Sequence, residues 1–277
     1  MIITDNHMHL YDHLKLEALK QFKRAGGTHV FLVSLTTTCY DINPVKGEDF
    51  RHIFDSHVNM VRDANSIVTA YPILGVHPAE ITILGDIIGH KKAAEIMKDA
   101  LKIAGAYVQE GKAVAIKNGR PHYPVSPEIW KLSNEVLQYA FEVAKDANCP
   151  IQIHTESYSK KGMEEIADIA RRAGLPPDRI VKHFSPPAVD EINKIGMFPS
   201  VLASGKNLQE AAKQGPRFMA ETDYIDDKKR PGSVLGPKTV PKRVKELVEE
   251  FGESLVHKIC KENPEKVYGI EIETETK

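Results

Sequence analysis

The residues best suited to chemistry open the chain, in Asp5-Asn6-His7-Met8-His9. Side chains two apart in a strand point the same way, so Asp5, His7 and His9 would share one face. Two neutral imidazoles so placed can hold one divalent cation through their nitrogens. Histidine pairs also occur in cores and on surfaces, so the spacing gains weight only from what stands elsewhere. His154 in PIQIHT, His183 in RIVKHF and Asp223 just past RFMAET each lie at the end of a short β-rich run. If those runs are parallel strands of a closed barrel, their ends converge on one face, and the scattered side chains converge with them. A divalent ion held there would supply hydroxide from bound water near neutral pH and polarise a phosphoryl or carbonyl oxygen. Asp223 is placed to accept the proton of the attacking water. Asp5 reads either as a carboxylate that orients a histidine or as a plain strand-end residue.

Such residues need a scaffold of repeated strand and helix units. Strand-like runs occur at 1–7, 28–34, 67–75, 112–117, 150–155, 179–184, 197–203 and 217–222. Between them, apolar positions recur at helical spacing over 14–26, 48–64, about 79–110, 126–147, 163–174 and 244–251, a switch of period typical of repeated βα units. Gly26–Gly27 and Gly174 mark helix ends, and Ser126–Pro127 with Glu128 marks a start. The reading is an α/β fold, a (β/α)8 TIM barrel, for which 277 residues is an ordinary length. An open doubly wound sheet is the alternative, but no GxGxxG follows an early strand. No linker-like tract divides the chain. The barrel is therefore assigned to 1–270, with EIETETK at 271–277 as a short acidic tail.

Composition narrows the function classes. A net charge of −1 with 27% charged residues offers no basic face to coat DNA or an anionic membrane. It leaves open an enzyme that admits one strand end to a pocket. The three cysteines, Cys39, Cys149 and Cys260, form no CxxC pair, which argues against a thiolate zinc site and fits a reducing cytoplasm. The first ten residues lack the basic and apolar regions of a signal peptide. No stretch approaches the ~20 apolar residues of a membrane span. A cytoplasmic enzyme without membrane association is the expectation.

Read together in order, DNHMH at 5–9, GVHP at 75–78, PIQIHTES at 150–157, VKHFSP at 181–186, AETD at 220–223 and the closing ENPEKVYG resemble the TatD-related metal-dependent hydrolases of the amidohydrolase superfamily. The resemblance spans nearly the whole chain. It implies a barrel with one or two divalent ions (Zn, Mn, Mg, Ni or Fe) and hydrolysis often assigned as deoxyribonuclease activity. The substrate would then be single-stranded DNA or a small phosphoester. By the same resemblance, His7 and His9 hold one ion, His154 and His183 the other, and Asp223 ligates metal and handles the proton.

One segment departs from that pattern. Where relatives carry a glutamate after the fourth strand, this chain reads AVAIKNGRPHY, with Lys117 and Asn118 at the expected place. An ammonium beside two divalent cations would be repelled, so Lys117 must be neutral, turned away or modified. Three outcomes stay open: Lys117 carboxylated as a bridging ligand, as in phosphotriesterase-like barrels; Glu156 supplying the bridge; or a site with one metal. A lactonase, esterase or amidohydrolase activity is favoured by the first, and a metal-binding protein with impaired catalysis by the third. His77, Arg120 and His122 are the candidate substrate contacts, since a guanidinium suits phosphate and both histidines follow strand ends. Cys39 is assigned to packing, residues 224–227 to a hydrated loop, and Pro231–Pro241 to a substrate-side loop.

Overall fold

A computed structural model describes residues 1–11, 14–227 and 234–273. Nine strands form one sheet with helices between them: β1 (Thr4–His9), α1 (Leu16–Ala25), β2 (His29–Val33), α2 (Phe50–Ala64), β3 (Thr69–Gly75), α3 (Glu80–Ile83), α4 (Gly85–Ile88), α5 (His90–Gln109) and β4 (Ala115–Gly119) come first. They are followed by α6 (Pro127–Asp146), β5 (Ile151–His154), α7 (Lys160–Ala173), β6 (Ile180–Ser185), α8 (Val189–Ile195), β7 (Phe198–Leu202), α9 (Asn207–Lys213), β8 (Met219–Glu221) and β9 (Tyr224–Ile225). Three further helices, α10 (Thr239–Phe251), α11 (Glu253–His257) and α12 (Asn263–Tyr268), complete the order. The strands run in the order β8-β7-β6-β5-β4-β3-β2-β1-β9, a TIM-barrel-type α/β fold.

All eight strands read from the sequence are present. Ser126 caps α6 by accepting from the Ile129 amide at 3.3 Å, with Pro127 in the first turn, where a missing N–H costs nothing. Gly26 and Gly174 end α1 and α7 in the left-handed region. The stretch read as helical over about 79–110 forms α3, α4 and α5, and Gly89, at φ 89°, ψ 137°, separates α4 from α5. Seven-residue α8 and α9 are too short to show a period in sequence.

By internal contacts the chain divides into two units. The first comprises residues 1–33, 60–71 and everything from His183 onward. Its core gathers Ile2, Ile3, Val201, Leu208, Phe218, Val244 and Ile259; a second cluster joins Met8, Leu19, Phe22, Val30, Leu32 and Val61. Here β9 pairs with β1 in parallel, Tyr224 opposite Met8 and Ile225 opposite His9, while β8 also packs on β1. Residues 224–227 are therefore not a hydrated loop: Asp226 is buried, accepting from the Leu14 and Lys15 amides at 2.7 Å each and from the Tyr224 hydroxyl at 3.0 Å. Ile272 is buried in the first core and donates its amide to Glu265 at 2.8 Å, so the chain is packed beyond residue 271, while 274–277 lie outside the described residues. Of the loop read at Pro231–Pro241, residues 231–233 are likewise outside them, and 239–241 form the first turn of α10.

The second unit comprises residues 34–59 and 72–182. Here β3, β4 and β5 pair in parallel, with Lys117 opposite Gly75 and Gln152, and Gly119 opposite His154. The strands approach so closely that a Cβ at Gly75 would meet the Lys117 carbonyl at 1.9 Å. At Gly119, φ is 156° and a Cβ would meet the His154 carbonyl at 1.7 Å.

Among the described residues no cysteine is in a disulfide. Burial pushes Cys149 and Cys260 up to about 12, whereas Cys39 is half-buried. Only a thiolate attacks a disulfide reagent. Native protein at pH 8 is expected to titrate rapidly with a chromogenic disulfide at Cys39 alone, and at all three cysteines once denatured; rapid native reaction of Cys149 or Cys260 would contradict this packing.

Candidate metal centre and its surroundings

In the first unit, β1 carries Asp5, His7 and His9 side by side, all buried. The His7 and His9 Nε2 atoms stand 3.0 Å apart. The β8–β9 connection bonds directly to this strand, the Asp223 amide donating to the His7 carbonyl at 3.0 Å. That places Asp223 Oδ1 3.6 Å from Nε2 of both His7 and His9 and 3.9 Å from Nε2 of His183. The His183 ring stacks on His7, with centroids 3.6 Å apart and planes 15° from parallel.

The hydrogen bonds behind these rings fix which nitrogen faces forward. His9 Nδ1 lies 2.8 Å from the Val33 carbonyl; a carbonyl can only accept, so Nδ1 carries the hydrogen and Nε2 keeps its lone pair. His183 Nδ1 lies 2.8 Å from Glu221 Oε1, which also accepts the Phe184 amide at 2.7 Å. An ionised Glu221 can only accept, so with that carboxylate charged His183 carries its hydrogen on Nδ1 and presents a bare Nε2. Glu221 is held in turn by Ser200, which takes a 2.9 Å bond from Asn6, whose Oδ1 accepts the Tyr268 hydroxyl at 2.9 Å. Burial, with Asp223 nearby, pushes Glu221 well above the usual carboxylate range.

Asp5 does not touch an imidazole. It accepts the His7 amide at 3.1 Å, the Thr222 amide at 3.1 Å and the Thr222 hydroxyl at 2.7 Å. Burial raises it to about 7 against those bonds. Its part is to fasten the backbone of one site strand to the segment that carries Asp223.

Atoms bound at about 2.1 Å to one ion, at 90–110° to each other, stand about 3.0–3.5 Å apart. The spacings among His7, His9 and Asp223 come close to that range, the atoms are unprotonated lone-pair donors where their partners fix them, and the pocket is buried. Two sets satisfy ligand spacing among the described residues: His7, His9 and Asp223, and His7, His183 and Glu221. Glu221 was not singled out from sequence, although Glu221-Thr222-Asp223 repeats the i, i+2 spacing that identified the histidines.

The second unit gathers His77, Lys117, His122 and His154. His154 Nε2 faces His122 Nδ1 at 2.8 Å, and its ring centroid is 4.7 Å from those of both His77 and His122. His77 Nδ1 accepts the Ala79 amide at 3.2 Å, so its hydrogen is on Nε2, a neutral donor. Burial first, then the Lys117 charge and His122, hold His77 well below its usual pKa. His154 is lowered by burial, then by His77 and Lys117. Lys117 itself is buried on β4.

Arg120 and Glu156 pair with each other. The guanidinium, 1% exposed, bonds Glu156 through Nε at 3.1 Å and through Nη2, lies 3.5 Å from Glu165 and sits over the Trp130 ring at 4.6 Å. The Arg120 amide bonds the His154 carbonyl at 2.8 Å. The pair thus ties the strand ends that bear His122 and His154. Removing one partner of a buried pair costs about 3–5 kcal/mol, less where one side meets solvent. Glu156→Ala is expected to lower unfolding free energy in urea by about 2–3 kcal/mol; a loss within that of an ordinary surface substitution would show that the pair is not structural.

Three comparisons agree with this architecture. A model of the family described as "TatD related DNase" matches residues 4–269. An uncharacterized protein of Methanocaldococcus jannaschii, MJ1127, is 40% identical over 98% of this chain and 97% of its own length. The crystal structure of the TatD-like protein AF1765 from Archaeoglobus fulgidus superposes with a TM-score of 0.64 at 19% identity, covering 96% of this chain and all of that one. A lactonase of phosphotriesterase-like type from Deinococcus radiodurans, studied as a mutant, gives 0.63 at 15% identity over 96% of this chain and 95% of its own. Carried by the family match along almost its whole length, the chain belongs to the TatD-related deoxyribonuclease family of hydrolases.

Proposed function

We propose that this protein is a divalent-metal-dependent phosphodiesterase that hydrolyses single-stranded DNA, in a reducing compartment such as the cytoplasm. The observation that carries the reading is the meeting of three imidazole nitrogens around Asp223 Oδ1 at 3.6–3.9 Å. His7, His9, His183 and Asp223 would hold the ion. When bound, a divalent ion lowers the pKa of water toward neutrality and draws charge from a phosphoryl oxygen. Zinc, manganese, magnesium, nickel and iron all suit this mixed set.

The chain's own groups supply the rest. Asp223 accepts the proton of the attacking water at a carboxylate oxygen, and is held in place by its amide bond to β1. Glu221 keeps the His183 hydrogen on Nδ1. Within the second unit, His77 offers a neutral N–H and His122 an imidazole edge, groups of a kind that bind anionic oxygens. Arg120 is committed to Glu156 and holds the backbone of the second unit beside His154. The printed family description supports a nucleic-acid substrate. No helix among the described residues is long and apolar enough to cross a membrane.

A second reading is supported by the buried Lys117 on β4 and by the structural likeness to lactonases. Carboxylated, Lys117 would join His154 as an anionic ligand, and the substrate would be a lactone or carboxylic ester. Labelled carbon dioxide and a panel of chromogenic esters and lactones test that alternative.

The deciding assay incubates purified protein with end-labelled single-stranded DNA and magnesium, manganese, zinc or cobalt. Strand loss is expected with at least one ion, and Asp223→Asn is expected to lower it by about 100-fold or more. If no ion gives strand loss above the level of Asp223→Asn, the nuclease reading fails. Glu221→Gln is expected to weaken metal affinity about 10- to 100-fold, read by metal content after dialysis against graded chelator. Unchanged metal retention would remove Glu221 from the centre.

A further inference from the structure

Phe184 directly follows His183, and three observations set it apart. Its side chain is 45% exposed, and the other large hydrophobics so exposed among the described residues, Met1, Val45 and Ile87, are not aromatic. Its φ is 54°, in the left-handed region, which costs an L-residue roughly 1–2 kcal/mol. Its ring stands 6.0 Å from that of His183, nearly perpendicular at 72°.

In an extended strand, consecutive side chains point to opposite faces, so a phenylalanine after a site histidine would turn away from it. The left-handed backbone breaks that alternation and brings the ring beside the imidazole. Glu221 maintains the turn, since the oxygen that accepts His183 Nδ1 also accepts the Phe184 amide. Of the five non-glycine residues with positive φ among those described, Phe184 and Asp223 both belong to this cluster. Backbone held in costly regions concentrates at functional sites, where surrounding bonds over-determine it. Neither folding nor solubility is served by an aromatic ring held in a strained turn and left in water; a ligand with a flat apolar face is.

We propose that Phe184 is a specificity-determining residue: its exposed ring stacks on the nucleobase next to the scissile phosphodiester. The proposal rests on the phosphodiesterase reading above and adds how a strand is gripped beside the ion. Stacking on one aromatic side chain is sequence-tolerant, because every base has a π-face, so the contact selects for a base without selecting which base.

The test uses the full-length, metal-loaded protein and a short single-stranded oligodeoxynucleotide with a non-cleavable terminal linkage. The oligonucleotide carries a fluorescent purine analogue or an abasic sugar at the terminal position. The parent is expected to quench the analogue and to bind it on the order of 10-fold more tightly than the abasic strand. Phe184→Leu should abolish both the quenching and the preference, with thermal midpoint and metal content unchanged, and Phe184→Trp should restore them. Equal preference for the base in parent and Phe184→Leu would overturn the proposal. So would a fall in thermal midpoint or metal content shared by the Leu and Trp variants, since that assigns Phe184 a structural role. A parent that cleaves DNA while failing these tests sinks only the stacking; a parent that neither binds nor cleaves DNA sinks the phosphodiesterase reading with it.

Discussion

The bonds that tie β1 to the segment 221–226 govern everything in the first unit. Asp5 holds the Thr222 amide and hydroxyl, the His7 carbonyl takes the Asp223 amide, and Asp226 gathers the Leu14 and Lys15 amides. Residues from opposite ends of the sequence are thereby fixed within ligand distance of each other. A buried carboxylate is costly unless its oxygens are occupied; at Asp5 the His7 and Thr222 donors reduce that cost without cancelling it, since burial still raises the group to about 7. The same bonds account for the left-handed backbone at Asp223, which a free loop would relax.

Behind the nitrogens runs a second layer of hydrogen-bond partners that orients the rings. Val33 and Glu221 decide which ring nitrogen of His9 and His183 bears hydrogen. In the other unit the opposite tautomer prevails at His77, where a backbone amide occupies Nδ1. One residue type thus serves as lone-pair donor in one place and as N–H donor in another, and in both cases the partner behind the ring makes the choice.

Much of this was legible in the sequence. Short β-rich runs pointed to each of the eight strands, and capping residues to the end of α1, the start of α6 and the end of α7. The HxH spacing and the strand-end positions of His183 and Asp223 pointed to the first cluster, because side-chain direction in a strand follows from chain geometry alone. What was hidden depends on tertiary partners. Gly89 breaks one helical stretch although the apolar period runs through it. Tyr224–Ile225 looks like a polar loop until β1 offers it an edge. Arg120 suits phosphate by type, yet a carboxylate two residues past His154 and the ring of Trp130 claim it first. Glu221 was not singled out although it stands two before Asp223, because its bonds to His183 and to the Phe184 amide exist only in the folded chain.

The hydrogen-bond chain from Tyr268 through Asn6 and Ser200 to Glu221 and His183 has a bearing on biosynthesis. Its first link lies in α12 and its second in β1, 262 positions apart in the sequence. A nascent chain that has already exposed both histidines of β1 still lacks the strap that sets His183. The strap can close only once residue 268 has been made, so a chain stopped short of it would carry the motifs without the bonds that order His183.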